Sequence, residues 1–215
     1  MGLDPPAFDP MFRPGARYRL GDGTEAVIEV QDAGTLNLAT GRVIACDPFW
    51  GTNVQRHVAP FTVTVPPGHY PVTLSLARGL LGRPAPVPRL GAAAKLTIRD
   101  EPVTAGEVAR LRPDQIYTLG VDSGNASLLD ASAVGALAAL DEPGSELDRL
   151  FERVWGNEWV NLVVDHESGL NAVVFHCGLG DGGYATWIGR SADGEPLCFV
   201  VDLLVLSDSF GPITD

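Results

Sequence analysis

The sequence has no apolar run near the ~18–20 residues that a membrane-spanning helix needs, which excludes a protein built on such helices. Its first residues, Met1-Gly2-Leu3-Asp4-Pro5-Pro6, lack the basic and then apolar regions of a secretory leader. Pro6 also spoils a myristoylation match. A soluble, cytoplasmic protein is expected. Lysine is almost missing: Lys95 is the single lysine among 15 basic residues. With 25 glycines and 17 prolines, that scarcity resembles the codon usage of a GC-rich bacterial genome. The three cysteines, Cys46, Cys177 and Cys198, form no CxxC or CxxxH pair, so neither a zinc knuckle nor a thioredoxin-type motif is supported. Reduced core thiols are the expectation. No GxSxG elbow, HExxH helix or GxxxxGK[ST] loop occurs, and each absence removes a catalytic class.

What is present is an ordinary globular composition. The 215 residues are 45% hydrophobic and 20% charged, enough for one sizeable domain. The net charge of −12 argues against nucleic acid and anionic membrane as partners, because counterion release needs a basic face. That charge is unevenly placed: −3 over 1–49, +5 over 50–112 and −14 over 113–215. The basic stretch (Arg56, Arg78, Arg83, Arg89, Lys95, Arg99, Arg110, Arg112) either packs against the acidic remainder or forms a local anion site.

Residues 1–16 hold four prolines and little periodicity, which predicts an irregular arm ahead of a single α+β domain over 17–215. Short apolar segments punctuated by turn residues follow, predicting mostly antiparallel strands. Strands are expected at 26–30, 35–38, 42–46, 61–65, 70–77 and 92–98, with a turn at Asp32-Ala33-Gly34 and a hairpin about Thr40-Gly41. Proline and glycine make 78–91 a surface loop. Thr104 and Glu107 fit a capping box for a short helix over 105–111. Asp130 can cap a helix over 131–140, and Ser145 with Asp148 starts another over 146–155. The C-terminal segments 159–165, 170–177, 184–189 and 197–206 read as a four-strand meander, the last pair joined at Asp193-Gly194.

Four segments carry a resemblance: Gly41-Arg-Val-Ile-Ala-Cys-Asp-Pro48; Pro66-Pro-Gly-His-Tyr-Pro-Val72; Gly120-Val-Asp-Ser-Gly-Asn-Ala126 with Asp130; and Gly178-Leu-Gly-Asp-Gly-Gly-Tyr184 with Val201-Asp202. In order and spacing they resemble the bacterial domain-of-unknown-function family 4241. That resemblance sharpens a list of positions and implies no reaction.

Five aspartates stand out: Asp47, Asp122, Asp130, Asp181 and Asp202. All but Asp202 sit at or just past an expected strand end, Asp47 and Asp181 directly beside Pro or Gly, where carboxylates converging on one sheet edge could hold Mg²⁺ or Ca²⁺. The plainer alternative is that each is a turn aspartate accepting backbone amides. Asp202 interrupts an apolar strand and must be paired or face solvent. The glycines about Asp181 predict at least one positive φ, an Asp181 carboxylate turned inward onto amides, and Tyr184 packed on the same loop. His166 and His176 flank a turn and could pair across it. Trp155, Trp159, Trp187 and Tyr184 either line a pocket or belong to the core. The function expected is a non-enzymatic, immunity-like binding or accessory module for a protein partner or small ligand, requiring no cofactor. The alternative is a divalent-metal hydrolase using the aspartates.

Overall fold

The computed structural model describes residues 5–21, 23–49, 58–81, 89–140, 149, 158–207 and 212–213. It is mostly antiparallel β: 54% strand and 8% helix. The strands are β1 (Arg17–Arg19), β2 (Glu25–Leu38), β3 (Val43–Cys46), β4 (Gly68–Leu81), β5 (Leu90–Thr97), β6 (Ala105–Val108) and β7 (Arg110–Arg112). Then come β8 (Gln115–Ile116), β9 (Thr118–Val121), β10 (Asn125–Asp130), β11 (Trp159–Asp165), β12 (Leu170–His176), β13 (Gly182–Arg190) and β14 (Pro196–Asp202). An eight-stranded sheet runs β1-β2-β4-β5-β14-β13-β6, with β9 also paired to β13. A four-stranded sheet runs β11-β12-β10-β3, and β7 and β8 make a small ribbon.

The hydrophobic pattern explains why two sheets face each other. Leu36 and Leu38 of β2, Leu74 and Leu76 of β4, and Phe199 and Val201 of β14 meet Ala126, Leu128, Val173 and Phe175 of the smaller sheet in one buried cluster. Alternate residues of the smaller sheet, among them Ile44, Leu162 and Val174, face the other way. They are covered by a 3₁₀ turn (Ala131–Ala133) and a short helix, α2 (Val134–Ala139). The outer face of the large sheet is covered by Met11 and Phe12 from the N-terminal segment and by Val205 and Leu206. That segment holds one helical turn, α1 (Phe8–Met11), so the stretch expected to be irregular contributes core side chains, worth ~1.5–3 kcal/mol each when fully buried.

Several expected elements are differently disposed. The turn expected at Asp32-Ala33-Gly34 is a bulge inside the 14-residue β2, where Gly34 takes φ +85° and its N–H donates to Asp32 Oδ1 at 2.7 Å. The bulge shifts the pleat by one residue: Ala26 and Ile28 face outward before it, Leu36 and Leu38 inward after it. Thr40-Gly41 closes no hairpin, since β2 and β3 lie in different sheets. Residues 61–65 form only an isolated bridge, Arg42 to Thr64. The segment read as a helix over 105–111 is strand: β6, paired with β13, and the start of β7. Thr104 and Glu107 do not cap each other there. Both reach Arg190, the hydroxyl donating to its carbonyl and the carboxylate receiving its guanidinium.

The C-terminal strands are two hairpins rather than one meander. β12 pairs with β11 and β10, and β13 pairs with β14, so the glycine-rich loop crosses from one sheet to the other. The helix expected over 146–155 lies outside the described residues apart from 149, as do 82–88 of the expected 78–91 loop, whose flanks 78–81 and 90–91 are instead the ends of β4 and β5.

Candidate functional site

Two crossover loops meet at one end of the sandwich. The first, 122–124, joins β9 of the large sheet to β10 of the small one. The second, 177–181, joins β12 to β13 in the opposite sense. Cys177 N–H donates to Gly124 O at 2.8 Å, locking the loops together.

Asp47, 1% exposed at the end of β3, holds the first loop. Its Oδ1 accepts Phe49 N–H at 2.9 Å and the Ser123 hydroxyl at 2.7 Å, and its Oδ2 accepts Asp122 N–H and Ser123 N–H, both at 2.9 Å. Burying a carboxylate without such donors would be prohibitive. The Ser123 hydroxyl is thus a donor in a structural clasp.

Backbone contacts and one tyrosine hold the second loop. Gly180 takes φ +83° and its N–H donates to Cys177 O at 2.8 Å, while Tyr184 Oη donates to Gly180 O at 2.7 Å. Tyr184 is buried in the core, and burial pushes its phenol up to about 12. Gly178 passes so near Gly91 that a Cβ on it would lie 2.5 Å from Gly91 O, a contact only glycine allows. The positive φ and the Tyr184 packing agree with the sequence. The inward Asp181 does not: it is exposed, and no donor among the described residues reaches its carboxylate. The Cys177, Gly178 and Gly180 amides bond to carbonyls instead.

The other aspartates divide. Asp122 is exposed, contributing its N–H but not its carboxylate to the clasp. Asp130, wholly buried, lies at the far end of β10, ~17 Å from Asn125 at 3.4 Å per residue. Its oxygens accept the Thr40 hydroxyl and N–H, Arg42 N–H, and the Ser132 N–H and hydroxyl. Burial by itself would raise the Asp130 carboxyl, but the Ser132 and Thr40 bonds outweigh it and hold it low. This is the helix-capping role expected. Asp202 sits on the outer face of β14, accepts Leu204 N–H at 3.0 Å, and is pushed up by burial.

The five aspartates therefore do not gather. Among the described residues, no three His, Cys, Asp or Glu side chains are placed to hold a metal ion, so the Mg²⁺ or Ca²⁺ reading gains no support from the arrangement. All three cysteines are buried, and burial pushes their thiols up, Cys46 to about 12. His166 and His176 stand at opposite ends of the β11–β12 hairpin and do not pair across it. Trp187 faces the outer cluster and Tyr184 the inner one, so they line no common pocket. Several cations of the basic stretch are paired: Arg78 with Glu29, Arg89 with Glu29 and Glu158, and Arg99 with Glu101.

Sequence reasoning overlooked Asn125 and passed over the side-chain environment of His176. Asn125 is wholly buried; its Nδ2 donates to Ser123 O at 2.8 Å, and its Oδ1 has no partner among the described residues. It lies directly opposite His176 in the β10–β12 register. His176 Nε2 is 3.8 Å, and Asp181 Oδ1 4.0 Å, from where a Cβ on Gly124 would sit. Because burial disfavours the cation more than Glu158 favours it, His176 is held below its ordinary value. The only sequence signal for this corner was the Asp-Ser-Gly-Asn run.

The whole is a two-sheet antiparallel sandwich whose crossover loops build one polar end. The family model described as "Protein of unknown function (DUF4241)" matches residues 36–201, and the chain belongs to that family. Its span takes in both crossover loops. Neither a search of curated proteins nor one of solved structures found a match. No helix among the described residues is long and apolar enough to cross a membrane.

Proposed function

We propose that this chain is a non-enzymatic binding module, of accessory or immunity-like kind, that engages its partner or ligand with the Gly124 end of the sandwich. One observation carries the reading. The two crossover loops are fixed by internal hydrogen bonds, yet the Asp122 and Asp181 carboxylates they carry receive no donor from the described residues. A rigid loop presenting unengaged acceptors binds without an ordering cost. The candidate nucleophiles support the same side: the thiols are buried and their ionisation disfavoured, and Ser123 donates to Asp47.

A ligand and metal library screened by thermal shift against the protein and an Asp122→Asn/Asp181→Asn variant tests this. A compound that raises the midpoint of the first and not the second is expected, since binding to the native state stabilises it. Turnover of a generic phosphoester or amide substrate, abolished in the variant, would sink the reading.

A further inference from the structure

A strand at a sheet edge carries a row of unpaired backbone N–H and C=O groups that can template another strand. Most edges of this protein are closed or short. Along β1, Ile213 N–H donates to Arg17 O at 2.7 Å, and Pro212 bridges Tyr18. Along β3, Phe61 N–H donates to Val43 O at 3.0 Å, and Thr64 bridges Arg42. β6 and β9 have four residues each. β11 differs: it has seven residues, ends the smaller sheet and contains neither proline nor glycine. Among the described residues it pairs with β12 alone.

The register fixes which of its groups face outward. His176 N–H donates to Glu158 O at 3.0 Å, so that pair is hydrogen-bonded, and bonded pairs alternate along an antiparallel ladder. Val160 with Val174 and Leu162 with Ala172 are then the bonded pairs, while the N–H and C=O of Trp159, Asn161 and Val163 point away from β12. No partner among the described residues takes up those six groups.

Three outward residues spaced two apart complement themselves. An antiparallel second copy, related by a two-fold axis through Asn161, sets Asn161 against Asn161 and Trp159 against Val163, so every outward group finds a partner. Charge permits the pairing. Residues 159–164 include no ionisable side chain, in a chain of net charge −12. The flanking acids are already engaged, Glu158 by Arg89 and Asp165 by the Ser168 hydroxyl and Glu167 N–H. In this register Glu158 falls opposite Val164 of the second copy, not opposite an acid. Val163, 39% exposed, gains the half-buried Trp159 as its cross-strand neighbour, a favourable aromatic–β-branched pair. We propose that β11 is a homodimer interface, two copies joining edge to edge about a two-fold axis through Asn161. This goes beyond the binding-module reading and does not depend on it.

Sedimentation velocity of the full chain from about 5 to 500 µM, with amide hydrogen exchange at both ends of that range, provides the test. A reversible dimer is expected, with a dissociation constant of order 100 µM, because one strand pair is a small interface. The Trp159, Asn161 and Val163 amides should exchange about threefold or more slowly at the higher concentration. The Val160 and Leu162 amides, bonded within the sheet throughout, serve as the reference. Val163→Pro removes one outward N–H and no bond to β12, and should weaken dimerisation about tenfold or more. Val163→Thr keeps that N–H and should weaken it less than about threefold. If Val163→Pro does not fold, the exchange pattern of the unmodified chain decides alone. A monomer at about 500 µM would overturn the proposal and leave the edge to an extended segment of another protein. Slow exchange of the three amides at every concentration would overturn it by showing that the chain covers its own edge. A dimer in which they stay fast would place the interface elsewhere and overturn it too.

Discussion

The two ends of β10 are built on the same device and finish differently. At each, a buried aspartate gathers backbone amides and a hydroxyl from a neighbouring segment: Asp130 from Thr40, Arg42 and Ser132, and Asp47 from Phe49, Asp122 and Ser123. At the Asp130 end that completes the polar inventory. At the Asp47 end two carboxylates, Asp122 and Asp181, and one buried amide oxygen, Asn125 Oδ1, receive no donor from the described residues. Closely spaced aspartates in a sequence can thus be opposite things in a fold, a clasp in one case and a presented group in the other. What separates them is burial, because a carboxylate taken out of water must find donors within the chain.

The largest effects should fall on the clasps. Asp130→Ala and Asp47→Ala each strand three backbone N–H groups, so we expect a loss of about 3–5 kcal/mol by urea denaturation. A loss under about 1 kcal/mol in either would dissolve the distinction between clasp and presented group. Tyr184→Phe removes the hydroxyl that holds Gly180 O, and about 1 kcal/mol is expected, read the same way. An unchanged midpoint would mean that the loop is fixed without it.

The pH dependence sharpens the comparison through sign. Asp130 ionises more readily folded than unfolded, so its contribution is full above the ordinary value of 3.8 and is lost as pH falls below it. Asp202 has the opposite sense: its folded carboxyl titrates above 3.8, so it costs stability at neutral pH and the cost is relieved as pH falls toward that value. Asp202→Asn should therefore raise the midpoint slightly at pH 7, keeping the Leu204 bond through its amide oxygen, with no gain near pH 3.5. Equal effects at both pH values would disprove the assignment. The smallest effect should be Asp181→Ala, within about 0.5 kcal/mol, because its carboxylate is exposed and holds no amide. A loss of about 1–3 kcal/mol would restore the inward orientation read from its glycines.

The strand at 159–165 was legible because its apolar alternation needs no knowledge of a partner, and the one expected over 170–177 because its apolar run follows a Ser168-Gly169 turn and ends before Gly178. The Asp130 cap was legible for a related reason: the donor it takes from Ser132 lies two residues away. β10 was not recognised. Every residue of Asn125–Asp130 is buried, since both faces of that central strand are covered, and alternation vanishes. The capping box at Thr104 and Glu107 misled because two residues with local meaning were both recruited by Arg190, 86 and 83 positions away.

By itself, then, the sequence determined an antiparallel β protein of one family, its turn residues and the glycines of its loops, all features set by local dihedral preference and period-two burial. The tertiary structure alone decided which sheet each strand joins, that β2 changes face at its bulge, and which aspartates are clasps. Those depend on donors brought from up to 90 residues away, as Thr40 is to Asp130, and on burial that exists only once two sheets have closed on each other.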